Sequence, residues 1–278
     1  MLDSTTTKKL EDFVYAKPRS IQEIAQLLNK NWRTADRYVK EIEKNFGTIS
    51  TRTFRGGTRG ALKIVFWASM EKISHSVFQE RLEEEILRAR KKEDFSAFDI
   101  FQHVSTKNKV AHIEEKEENT KDLEELFGLL EKTEKQLLIF SGNLSFLYLK
   151  HKNKTLFQVI ELLVKRNVTI KILCRIDLSG RDNIQKILSL NFKHGKENIE
   201  IKHREHPLRA FIIDGKVFRI KEVKEPTGKM GELDKRVFIF YTIKDKEWTE
   251  WLSKVFWKMF SASVGADKRL EEMEKIVR

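Results

Sequence analysis

Between Gln136 and Cys174 the hydrophobic period switches twice, and that switch limits the fold more than any other feature of the chain. Gln136–Phe140 is a short apolar run, and Ser141-Gly-Asn143 supplies a turn. Thr155–Lys165 then places Leu156, Val159, Ile160 and Leu163 at helical spacing, and Val168–Cys174, after Asn167, is apolar again. Strand, amphipathic helix and strand make a β–α–β unit, whose two strands run parallel. A parallel sheet needs helices on both faces, so this half of the chain is expected to be layered α/β. The alternation continues with a helix over Asn183–Leu190 and a strand over Ile199–His203. A hairpin from Arg209–Asp214 to Lys216–Val223, a strand over Val237–Thr242 and a helix over Lys246–Phe260 complete it. The last helix carries Trp248, Trp251, Leu252, Val255, Phe256, Met259 and Phe260 at helical spacing, a stripe that reads as core.

The N-terminal segment has a different grammar. Ser20-Ile-Gln-Glu23 has the spacing of a capping box and opens a short helix with Ile21, Ile24, Leu27 and Leu28 on one face. Asn29-Lys30-Asn31 breaks it; Asn29 tolerates the left-handed backbone of a sharp turn, and Asn31 can cap a second helix. That helix runs from Trp32 to Asn45, with Ala35, Tyr38 or Val39, and Ile42 inward. Leu10, Phe13 and Val14 supply an earlier helix, and Thr48–Phe54 and Ala61–Trp67 are strands around the basic loop Arg55-Gly-Gly-Thr-Arg-Gly60. Three helices and a basic hairpin describe a winged helix-turn-helix. The fold class expected is therefore α/β multidomain. It comprises a winged helix over 1–69, a helical linker or dimerisation segment over 70–135, an α/β sheet domain over 136–264 and a helical tail over 265–278.

Charge respects the same division. The chain carries 54 Lys and Arg against 42 Asp and Glu, a net charge of +12. Residues 1–68 balance at +6, 69–135 at −5 and 136–264 at +11, so an acidic middle separates two basic blocks. In that middle, helices are expected over Met70–Lys92 and His112–Lys135, with an aromatic stretch, Phe95–Phe101, between them. Their amphipathic faces need a partner surface, and a second copy of the chain is one such partner. One cysteine, Cys174, excludes a disulfide framework and a cysteine-rich zinc site. His75, His103, His112, His151 and His194 show no metal-ligand spacing, and no phosphate-loop or dinucleotide glycine pattern occurs. No cofactor or metal is expected. With no long apolar run and no signal-peptide core, the chain is expected to be cytoplasmic and nucleoid-associated, away from membranes.

Two stretches carry family resemblances. IAQLLNKNWRTADRYVKEI resembles the helix-turn-helix of prokaryotic transcription regulators, with Ala25 where the helices cross and Arg33-Thr34 opening the recognition helix. It departs in having Asn29 where glycine is usual and Lys30 where a buried aliphatic is usual. LLIFSG…LFQVIELLVKRNVTIKILCRI resembles the opening β–α–β of phospholipase D-like domains, and Arg209-Ala-Phe-Ile-Ile-Asp214-Gly215 stands where that family carries His-x-Lys-x-x-x-x-Asp. The pairing resembles the TrmB-like archaeal regulators, in which the second domain has an interaction or effector role. The nucleophile position is held by Pro207 and the lysine position by Arg209; the later Gly-Ser-x-Asn element is replaced by Lys221-Glu-Val-Lys. His206 lies an odd number of residues from Arg209, hence on the other face of a strand; His203 is even-spaced but about 20 Å away along an extended chain. Catalysis is not expected, and no residue is assigned a catalytic role.

Duplex DNA is the expected partner, bound by a homodimer with paired reading heads. Asn31, Arg33, Thr34, Arg37 and Lys40 on the recognition helix, and Arg52, Arg55, Arg59 and Lys63 on the hairpin, carry groups suited to base edges and phosphates. Trp32 belongs with them, either stacking on the sugar-phosphate backbone or closing the small core. His206, Arg209 and Asp214 are candidates for an anion or ligand pocket, with a tight Asp214-Gly215 hairpin turn as the plainer reading. The alternatives are a phospholipase D-like nuclease using His203 or His206, and an adaptor bound to the transcription machinery.

Overall fold

The computed structural model describes residues 4–45, 48–55, 61–67, 75–117, 120–226 and 233–277. The described residues of 1–74, with 113–115, 223–226 and 233–239, gather into one unit, and the remaining described residues into a second.

In the first unit, α1 (Ser4–Ala16) leads through the two-residue β1 (Arg19–Ser20) to α2 (Ile21–Leu28) and α3 (Trp32–Asn45), and then to β2 (Ile49–Arg55) and β3 (Ala61–Trp67). The strands form an antiparallel sheet in the order β1-β3-β2. Leu10 and Val14, Ile21, Ile24 and Ala25, and Ala35, Val39 and Ile42 close on Ile49 and Val65 as one core. Of the two inward candidates on α3, Val39 is buried, and Tyr38 packs on the rim. Trp32 also packs against this core, which favours the structural of its two readings. The loop over residues 56–60 lies outside the described residues.

The second unit contains all or most of each of α4 (His75–Arg88), α5 (Ala97–Phe101), β4 (Lys109–Glu114), α6 (Lys121–Glu131), β5 (Gln136–Ser141), the short hairpin β6 (Lys150–His151) and β7 (Lys154–Thr155), and α7 (Leu156–Lys165). It continues through β8 (Thr169–Cys174), α8 (Arg181–His194), β9 (Ile199–His203), β10 (Ala210–Ile213), β11 (Val217–Lys224), β12 (Val237–Ile243), α9 (Lys246–Ser261), β13 (Val264–Gly265) and α10 (Ala266–Val277). Eight strands form one mixed sheet in the order β13-β9-β8-β5-β10-β11-β12-β4. β5, β8 and β9 are parallel, as the switching period requires, and β10 returns antiparallel to β5. One face, including Leu137, Ile139, Ile170, Ile172 and Ile201, is covered by α6, α7, α8 and α10. The aromatic stripe of α9 is buried; the Phe256 ring meets Phe140 of β5 edge-on at 5.1 Å.

The middle segment differs most from its sequence reading. Helix α4 is described only from His75 to Arg88, shorter than the expected Met70–Lys92, and residues 68–74 lie outside the described residues. Of the helix expected over His112–Lys135, α6 is present over Lys121–Glu131, whereas His112–Glu114 form the end of the edge strand β4. Residues 75–112 and 116–135 group with the sheet domain and do not stand apart as a linker. Leu123, Leu126, Phe127 and Leu130 pack on the sheet core, and Phe95, Phe98 and Phe101 are buried. The partner these amphipathic helices needed is thus their own chain. Residues 265–278 likewise contain α10, whose Ala266 and Met273 enter the core.

Candidate nucleic-acid interface

The turn that presents α3 is built from local bonds. Ser20 Oγ accepts from the Glu23 N–H at 3.2 Å, and the Ser20 N–H donates to Glu23 Oε2 at 2.7 Å, closing the capping box of α2. Asn29 takes a left-handed conformation (φ 49°, ψ 46°), and the Lys30 N–H reaches back to the Ala25 carbonyl at 3.0 Å. Asn31 Oδ1 then accepts from the Thr34 N–H at 2.9 Å, capping α3. That bond uses one of the two acceptor positions of the Asn31 oxygen.

From this start, Arg33 and Arg37 project one turn apart, both exposed. Their guanidinium carbons lie 5.7 Å from the Trp32 ring and 5.4 Å from the Tyr38 ring, and neither has an acidic partner among the described residues. The lysines differ. Asp36 holds Lys40 at 2.8 Å and Lys63 at 2.6 Å, tying α3 to β3. Burial pushes the Asp36 carboxyl up, but its bonds to Lys40 and Lys63 outweigh this and hold it below its ordinary value. Lys63 is therefore a half-buried structural cation, a correction to its place among the expected DNA contacts. Lys40 is exposed but shares the same carboxylate. Thr34 is half-buried; Arg52 lies 5.5 Å from the Phe54 ring. The side chain of Arg55 and all of Arg59 lie outside the described residues. The Asp36–Lys40 pair was visible at its four-residue spacing; Lys63, 27 residues away, was not.

The candidate pocket in the second unit does not assemble as expected. Asp214 and Arg209 flank β10 at opposite ends, about 16 Å apart by strand rise. Asp214 (φ 51°) and Gly215 (φ 64°) make the hairpin turn, and the carboxylate accepts the N–H groups of Glu134, Lys135 and Gln136 at 2.8–3.0 Å. Burial acts against ionisation of Asp214, but these backbone donors prevail and its pKa is lowered. It is a structural hub, not a pocket residue.

His206 and Arg209 do meet, near the carboxyl ends of β5 and β8. Arg209 Nη1 donates to the Leu208 carbonyl at 2.7 Å and to that of His206 at 3.4 Å; a methyl added at Gly142 would fall 2.8 Å from Nη2. Burial, and then Arg175, lowers the Arg209 pKa, and no carboxylate lies within ion-pair distance among the described residues. His206 is buried, with Nε2 donating to the Leu173 carbonyl at 3.1 Å, and burial, then Arg209, depresses its pKa to about 3. His203 accepts the Ile176 N–H at Nδ1, 2.9 Å away. Cys174 is buried, and burial raises its thiol pKa to about 12. Arg175 and Gly142 also belong to this edge; both lie in the stretch that carries the β–α–β resemblance, which assigns neither of them a role.

Among the described residues, no helix is long and apolar enough to cross a membrane, and no group of three or more His, Cys, Asp and Glu could hold a metal ion. No family model matches the sequence, and no curated protein matches it. Solved structures with similarity include TrmBL2, an archaeal chromatin protein, at 18% identity over 95% of this chain and 94% of that one, with a TM-score of 0.41. The phospholipase D family member Nuc from Salmonella typhimurium matches at 8% identity over 56% and 97%, with a TM-score of 0.38. Phosphatidylserine synthase from Haemophilus influenzae matches at 12% identity over 75% and 57%, with a TM-score of 0.40.

Proposed function

We propose that the chain is a DNA-binding transcription regulator or chromatin-associated protein, reading duplex DNA through a winged helix in residues 1–69. The observation that carries this is the pair of exposed guanidinium groups of Arg33 and Arg37 in the first turns of α3, with no acidic partner among the described residues. A helix that enters a major groove contacts bases and phosphates from its N-terminal turns, which is where these side chains stand. Asp36, the acidic residue between them, is already held by Lys40 and Lys63 and does not offset them.

In this reading the second domain is a phospholipase D-like sheet without catalysis, used for homodimer assembly, further DNA contact or ligand sensing. The burial and neutrality of His206 support a non-catalytic role, since a nucleophile must reach its substrate. Arg209, half-buried and with no carboxylate within ion-pair distance among the described residues, is suited to hold an anion there. Electrophoretic mobility shifts on a duplex, with Arg33→Ala/Arg37→Ala beside the parent chain, test the proposal. Binding weaker by tenfold or more in the variant is expected; equal binding would remove the recognition helix from the interface.

A further inference from the structure

The +11 charge of residues 136–264 has no assigned partner in the winged-helix reading, and part of it converges on one cavity. This hollow, of about 620 Å³, lies between the β6–β7 hairpin, the start of α7 and α8. Lys150, Lys152, Asn153 and Gln158, all exposed, form its mouth. Lys186 crosses from α8, with Nζ 4.4 Å from the Tyr148 ring and 5.0 Å from the Phe157 ring. Two aromatic faces hold this ammonium in place, and neither Lys186 nor Lys150 has an acidic partner within ion-pair distance among the described residues. Lys152 shares Glu124 at 3.7 Å.

The acidic group in the lining, Glu161, is occupied from outside. Lys193, His194 and Lys165 stand 2.8, 3.1 and 3.6 Å from its Oε1. The Lys193 bond, against burial and with help from His194, lowers its pKa to about 2. The cavity therefore keeps a surplus of positive charge, increased by the amino-terminal end of α7 at its base.

We propose that this cavity is a second DNA contact, holding the sugar-phosphate backbone of the duplex whose bases the winged helix reads; it rests on that reading. Lysines meet phosphate oxygens as compact, adaptable point charges that need no fixed bidentate geometry. The amides of Asn153 and Gln158 are companions for phosphate and sugar oxygens. The exposed mouth suits a polymer crossing the surface.

The test is the salt dependence of duplex binding by the full chain, read by fluorescence anisotropy. Each phosphate contact contributes about 0.9 to the slope of log affinity against log salt. Lys150→Gln/Lys152→Gln/Lys186→Gln is expected to reduce that slope by about 2.7. The double variant Lys150→Gln/Lys152→Gln, which leaves the packing of Lys186 untouched, is expected to reduce it by about 1.8. If the parent chain binds and Arg33→Ala/Arg37→Ala weakens it, an unchanged slope in the lysine variants overturns the second contact and leaves the winged helix standing. If the parent chain does not bind a duplex, both fail. Thermal stabilisation by pyrophosphate that the triple variant loses, with the DNA slope unchanged, would assign the cavity to a small anion and overturn the proposal.

Discussion

Asp214 shows how one side chain can be misplaced by its sequence neighbourhood. Beside Gly215 it is legible as a turn, and the φ values of 51° and 64° agree with that reading. Its main task, gathering three N–H groups at the start of β5, joins positions about 80 residues apart and has no local trace. A carboxylate bonded to several backbone donors contributes roughly 1.5–3 kcal/mol per hydrogen bond at most, with partial loss recovered by water at exposed donors. Asp214→Ala is therefore expected to destabilise the second unit by about 2 kcal/mol in urea unfolding at pH 7. The pH dependence has a definite sign. The folded pKa lies below the ordinary 3.8, so the contribution is complete well above that value and disappears as pH falls through the folded pKa. The difference between parent and variant should accordingly narrow below about pH 4. A gap that stays constant would show that the charge of Asp214 is not needed by the backbone donors.

At the scale of elements, legibility tracks locality. The α2 cap, the left-handed Asn29 and the cap of α3 all depend on residues within three or four positions, and all are present. Ser20→Ala is expected to cost about 1 kcal/mol by loss of the cap. Asn29→Val should cost about 1–2 kcal/mol because a branched side chain resists positive φ, whereas Asn29→Gly should be tolerated. Thermal unfolding of the three variants checks the order; equal stability for Val and Gly would remove the left-handed turn. The β–α–β unit was legible for the same reason, since its period changes within a short stretch. By contrast, His112–Glu114 are the end of β4 and not the start of a helix, because this strand is a sheet edge, fixed by pairing with a distant strand rather than by its own pattern. The faces of α4 and α6 correctly required a partner. Amphipathicity does not name that partner, however, and intramolecular packing supplied it: α4 meets α9 through Lys258–Glu83 at 2.6 Å, and α6 enters the sheet core. The candidate DNA contacts divide likewise: the exposed arginines of α3 are a consequence of its helical face, while the loss of Lys63 to Asp36 needed the packing of β3.

For the whole molecule, net charge acquires a measurable meaning only when divided among contacts. A count of +12 does not say how many cations meet phosphates, because many are paired within the fold; Lys171 with Glu200 and Lys154 with Glu131, both at 2.6 Å, are examples. Counterion release depends on the cations that replace salt at the phosphates, so its slope counts the contacts directly. With roughly four contacts from α3 and the hairpin alone, a fourfold rise in salt should weaken binding about 150-fold. Adding Lys150, Lys152 and Lys186 raises the count to about seven and the loss to several thousand-fold. A titration of the full chain from about 50 to 200 mM salt separates these outcomes without any variant. The larger loss is expected, since Arg33 and Arg37 in one basic block and Lys150 and Lys186 in the other have no acidic partner among the described residues. A loss near 150-fold would confine the duplex to the winged helix. A loss below tenfold would mean that binding does not run through phosphates, and the charge of the chain would then require another cause.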